Sequence, residues 1–172
     1  GCGVGVGVGI TALIARYLGA HDEKGITRVV HNGIFLGILN SILFALFGIF
    51  LAKFYFEFQK ASGIIETYGI QYLSICSIFA FSIIMEITFE RMLIASGKTI
   101  YTMITQSTGA IINIIFDPIF IFGLFGFPKM GIVGAAVATI FGQTVAMFMA
   151  LYFNVAKNHE VRISIKKFAV DF

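Results

Sequence analysis

The sequence predicts an all-α fold, a polytopic bundle of membrane helices with five spans visible, and three observations lead there. Hydrophobic residues make up 58% of the 172-residue chain and charged residues 12%, against roughly 45–50% and about 25% in soluble domains. Mean hydropathy is +0.94, leaving too little charge to coat a water-facing surface. The apolar residues also fall in runs near the length a spanning helix needs, about 20 residues. Together these exclude a disordered chain, a nucleic-acid module, a secreted disulfide scaffold and a soluble enzyme.

The first span covers residues 1–19. Its alternating glycines, Gly1 to Gly9, have the period of a strand. A barrel strand needs only about 9–11 residues, however, and would leave the longer apolar runs beside it unexplained. On a helix, Gly1, Gly5 and Gly9 form one small-residue ridge and Gly3 with Gly7 another, which lets neighbouring backbones approach in lipid. The run is already apolar at Gly1, and the chain stops at Phe172 after a basic stretch. The expectation is a piece of a longer protein.

His21-Asp22-Glu23-Lys24-Gly25 forms a charged turn before the second span, residues 29–53. Residues 54–67 are aromatic and charged and read as an interfacial helix. The third span is 68–95, closed by the tight turn Ala95-Ser96-Gly97-Lys98. The fourth is 99–123, followed by the Gly/Pro turn Leu124 to Lys129, and the fifth is 131–156. Residues 1–156 thus form one transmembrane lobe, with 157–172 a basic arm reading as a cytoplasmic linker.

Alternating these spans across a bilayer sorts every basic residue. Arg16, Lys24, Arg28, Arg91, Lys98, Lys157, Arg162, Lys166 and Lys167 fall on one side; Lys53, Lys60 and Lys129 fall on the other. Nine against three makes the first side cytoplasmic by the positive-inside rule.

A charge within hydrocarbon costs roughly 2.5–3.5 kcal/mol on insertion scales, so each intramembrane acid needs a reason. Asp117 shares the fourth span with Thr102, Gln106, Gly109 and Asn113, at successive intervals of 4, 3, 4 and 4. At about 100° per residue these five occupy one narrow stripe. A polar stripe on an apolar helix faces protein or water. Asn113 lies one turn from Asp117, near enough to share a cation or a proton, and Pro118 cannot donate to the Ile114 carbonyl. The bland alternative makes Asp117 an outer helix end and Asp-Pro ordinary turn punctuation.

Glu86 and Glu90 are one turn apart and read either as a gate or second protonation site, or as a helix end at the inner interface. The second reading suits Glu90 better, because end-of-helix charges snorkel into water. Gly134, Ala138 and Gly142 form a packing ridge on the last span. Thr139 and Gln143 beside it, like Gln106 on the fourth span and Asn40 on the second, are candidates to line a cavity. His21, His31 and His159 have no metal-site spacing, and Cys2 and Cys76 suggest neither a disulfide framework nor a metal site. No H-E-x-x-H, Walker A or G-x-S-x-G motif occurs, and Asp117 is the only Asp within a span, so an intramembrane enzyme is disfavoured.

Four stretches together resemble the multidrug and toxic compound extrusion (MATE) family of cation-coupled antiporters. Ala15-Arg16-Tyr17-Leu18-Gly19-Ala20-His21-Asp22 is similar to its inward helix end, and Arg91 to Thr99 to its R-x-x-x-x-x-G-x-T turn. Gly109 to Phe122, containing Asn113 and Asp117-Pro118, is similar to N-I-x-x-D-P-x-F-I-F; Gly131 to Thr139 is similar to G-I-x-G-A-A-x-A-T. The resemblance implies helices two to six of the amino-terminal lobe of a twelve-helix, two-lobe transporter. Its carboxy-terminal lobe and first helix are absent here.

It further implies a multi-pass protein of the cell membrane, in bacteria the inner membrane. The implied function is efflux of amphipathic organic cations or drugs by antiport with H⁺ or Na⁺, without other cofactors and without nucleic acid. Coupling would run through Asp117 and Asn113, and more loosely Thr139, with Na⁺ as the one metal ion implied, at Asp117. A lipid-linked oligosaccharide flippase of the wider superfamily is the alternative, and would require a strongly cationic central cavity. A membrane enzyme or scaffold stands further off.

Overall fold

The computed structural model describes residues 2–58 and 64–161. They form α1 (Cys2–Gly19), α2 (Glu23–Phe58), α3 (Ile64–Ile78), α4 (Ala80–Ala95), α5 (Thr99–Phe122) and α6 (Ile132–Ala156), with a short 3₁₀ turn at Leu124–Gly126. No strand occurs among the described residues, so the alternating glycines of Gly3 to Gly9 lie on a helix. The part of the linker beyond Val161, and the side chains of Cys2 and Cys76, lie outside the described residues.

By length and composition α2, α5 and α6 can each cross a membrane, and α3 with α4 can cross as a bent pair. Two boundaries depart from expectation. α2 is a single 36-residue helix reaching Phe58, so residues 54–58 continue the helix of the second span and no separate helix starts at 54. Residues 59–63, within that expected helix, lie outside the described residues. The third span is broken at Phe79, where its two halves bend by 47°. No Pro or Gly marks the break in the sequence.

α4 packs against α1, α2 and α6, while α5 packs chiefly along α6. Ile10 and Ile14 of α1, Val30 and Ile34 of α2, and Met85, Phe89 and Met92 of α4 meet in one apolar core, joined by Val161. The α5–α6 seam is built differently, by removing side chains. A Cβ on Gly142 would stand 2.9 Å from the Gly109 carbonyl oxygen, and one on Gly134 would stand 2.5 Å from that of Phe120. The expected ridge is therefore a backbone contact surface, matched by Gly109 on α5. Among the described glycines of α1, Gly5 and Gly9 meet nothing within 4 Å, and Gly7 faces the Arg91 side chain. A wide outer surface remains apolar, with Phe47, Ile114 and Phe148 more than half exposed, as lipid-facing helices require.

Candidate functional site

The two seams of α4 set up the site. On the α6 side it is pinned at both ends: Thr144 Oγ1 donates to Ser82 Oγ (3.0 Å) and Asn154 Nδ2 to the Phe89 carbonyl (2.8 Å). Asn158 Nδ2 extends that lock to Ser96 Oγ at 2.8 Å. On the α5 side backbone contact is sparse. A cavity of about 400 Å³ opens between α4, α5 and α6.

Residues from all three helices line it: Glu86 and Glu90 with Ile83 and Ile87 from α4, Gln106, Gly109, Ala110 and Asn113 from α5, and Thr139 and Gln143 from α6. None of these is basic. Every candidate in that region converges on it except Asp117, which does not line it. Asn40 is the other exception. It sits half-buried on α2, which among the described residues packs on α1, α3 and α4 and makes no contact with α5 or α6.

Glu90 is where the structure departs most from expectation. It is 6% exposed, five residues before the end of α4, and accepts hydrogen bonds from Thr105 Oγ1 (2.8 Å) and Gln106 Nε2 (2.9 Å). It does not snorkel to the interface; it bridges α4 to α5. Its neighbour Arg91 suggested a solvated helix end, but 100° separates adjacent residues on a helix. Arg91 lies against Gly7 of α1. Thr105 went unrecognised because it falls off the polar stripe; its adjacency to Gln106 was the available signal.

Asp117 sits one turn beyond Asn113 on α5. Asn113 Oδ1 and Asp117 Oδ1 are both buried acceptors without a hydrogen-bond donor. α5 continues helically through Pro118 to Phe122 and is capped by Gly123 in the left-handed region, so the Asp-Pro pair does not start a turn. The Gly109–Gly142 and Phe120–Gly134 contacts set an antiparallel register that brings Thr139 level with Asn113. The Thr139 hydroxyl donates to its own helix at Ala135 O (2.9 Å), leaving its lone pairs toward the cavity. Oxygen acceptors of this kind are the atoms that a proton or a hard cation takes.

Elsewhere, His21 and His159 share a smaller cavity of about 300 Å³ with Glu23 and Glu160 at the helix ends. Sequence spacing could not reveal that pairing. Among the described residues no three His, Cys, Asp or Glu side chains are placed to hold a metal ion.

A family model described as MatE matches residues 2–119. The chain belongs to the MATE family. Among its relatives, a probable multidrug resistance protein NorM of Thermotoga maritima is 30% identical over 149 residues, covering 87% of this chain and 32% of that protein. A Shewanella oneidensis protein named as an FAD transporter is 29% identical over 156 residues, 90% of this chain and 34% of its own. The fold matches the inward-facing conformation of a multidrug resistance MATE transporter of the MOP superfamily with a TM-score of 0.90 at 27% identity. That match covers 98% of this chain and 38% of the other. The chain thus spans about a third of the length of the MATE relatives it matches. MATE membership makes it a multi-pass membrane protein, and its α5 segment with Asn113 and Asp117 lies inside the matched region.

Proposed function

We propose that the chain forms part of a secondary transporter that exports amphipathic organic cations in exchange for H⁺ or Na⁺. The observation that carries this reading is the cavity between α4, α5 and α6, lined by two carboxylates and no basic side chain within a membrane-embedded bundle. Such a site attracts cations and repels anions. Asn113 in that lining and Asp117 one turn beyond it each supply an unmet acceptor. A coupling ion arriving there satisfies both oxygens, biases the bundle toward one side of the membrane, and favours cargo release on the other.

The cavity speaks against two neighbouring readings. FAD, named for one relative, is an anion, and lipid-linked oligosaccharides carry phosphates; both would face Glu86 and Glu90 without a cationic partner in the lining. The test uses the full-length transporter in everted vesicles with a fluorescent organic cation and an imposed H⁺ or Na⁺ gradient. Gradient-driven transport that is lost in Asp117→Asn, with insertion and elution unchanged, is the expected result. Undiminished transport in Asp117→Asn would overturn the coupling role.

A further inference from the structure

The two cavity carboxylates are not equivalent. Both Glu90 oxygens already have a donor from the protein, Thr105 on one and Gln106 on the other. Glu86, one turn earlier on the same face, is also 6% exposed, yet among the described residues it has neither a hydrogen bond nor an ion pair. The nearest basic side chain along the helix, Arg91, is turned away toward Gly7. The Glu86 oxygens are not among the buried acceptors that lack a partner; they open into the cavity, where the donors of a ligand can take the place of water.

We propose that Glu86 is the hydrogen-bonding ligand of the cargo, so that the cavity selects organic cations bearing N–H groups over quaternary ammonium ions of similar size. Protonated amines, amidines and guanidines bring both the charge and the donors that Glu86 lacks; a quaternary ammonium brings the charge alone. Glu90, held by α5, fixes the second negative charge a turn away and keeps the field of the site constant. Ile83, Ile87 and Ala110 in the same lining receive the apolar part of the molecule, the usual division of labour in a ligand pocket. Sites built around a hydrogen bond reject analogues lacking the partner more strongly than purely apolar pockets reject a change of size. This inference rests on the transport reading only in taking the cavity as the cargo site.

The experiment measures equilibrium binding to the full-length transporter in lipid nanodiscs, with no ion gradient. The probe is p-aminobenzamidine, a fluorescent amidinium; benzyltrimethylammonium is the quaternary competitor. The wild-type protein is expected to bind the amidinium at least ten-fold more tightly. Glu86→Gln, of nearly the same shape, is expected to weaken amidinium binding ten-fold or more and quaternary binding less than three-fold. Glu86→Asp retains the charge with a shorter reach, recovers part of the preference, and guards against a folding artefact in the first variant. Equal weakening of both cations, unchanged amidinium affinity in Glu86→Gln, or no amidinium binding by the wild type would each overturn the proposal. Because binding is read without a gradient, loss of the coupling role of Asp117 leaves this result standing, and failure here leaves that role untouched.

Discussion

Met85, Phe89 and Met92 of α4 face α1 and α2 in a core closed to solvent, whereas Glu86 and Glu90 of the same 16-residue helix face a cavity of about 400 Å³. The two sets are offset by one residue, hence by about 100° around the axis. On the first side, large side chains interdigitate and hold α1, α2 and α4 together. On the second, α4 and α5 meet through side-chain hydrogen bonds to one carboxylate. The contrast separates stability from function along a single helix. Substitutions on the core side should act on folding, and those on the cavity side on binding and on the link to α5.

The core side should give the largest effect. Met92 is fully buried in the apolar core, so Met92→Asp places a charge among apolar side chains, at roughly 3 kcal/mol or more. The expected outcome is loss of the monodisperse peak in detergent size-exclusion, while Met92→Leu elutes as wild type. A folded, active Met92→Asp protein would mean that this side of α4 is open to water as well.

A smaller effect is expected across the cavity. Thr105→Val keeps the shape of the side chain and removes the hydroxyl that lies 2.8 Å from both Glu90 Oε1 and the Thr102 carbonyl of its own helix. A hydrogen bond to a charged group contributes about 1.5–3 kcal/mol, so the unfolding temperature should fall by several degrees and organic-cation affinity should fall with it. Thr108→Val is the control, since that hydroxyl bonds only its own helix at Ile104 O; it should change neither. An unchanged Thr105→Val protein would show that Glu90 does not tie α4 to α5.

Much of this architecture was legible because a bilayer imposes simple rules on sequence. Apolar runs of sufficient length located α2, α5, α6 and the bent pair α3–α4, and the small residues of α6 announced a backbone contact, which Gly109 and Gly142 make. The stripe on α5 also survived in part: Gln106, Gly109 and Asn113 line the cavity, while Thr102 is buried. What stayed hidden depended on which helix each face would meet. The bend at Phe79 has no breaker residue to betray it. Glu90 looked solvated beside Arg91 because one-dimensional adjacency conceals their different faces. Asn40 looked like a cavity residue because the sequence does not say that α4 stands between α2 and the cleft. Periodicity defines a face; only packing defines its partner.

The smallest expected effect tests the same contrast on α1. Its inner face supplies Ile10 and Ile14 to the core and sets Gly7 against Arg91, whose Cγ would lie 2.9 Å from an added Cβ. Its outer face carries Gly5, where an added Cβ meets nothing within 4 Å. Gly5→Ala should therefore leave stability unchanged or raise it by up to about 1 kcal/mol, the helix-propensity difference between the two residues. Gly7→Ala should be slightly unfavourable, since the flexible Arg91 stem can move aside. Thermal unfolding of the full-length protein distinguishes the two. If Gly5→Ala proved the more damaging, the outer face of α1 would have to be covered in the complete protein by a helix packed closely enough to exclude a methyl group. The glycine ridge would then be a second backbone contact surface like that of α6, and α1 would have no lipid-facing side at that depth.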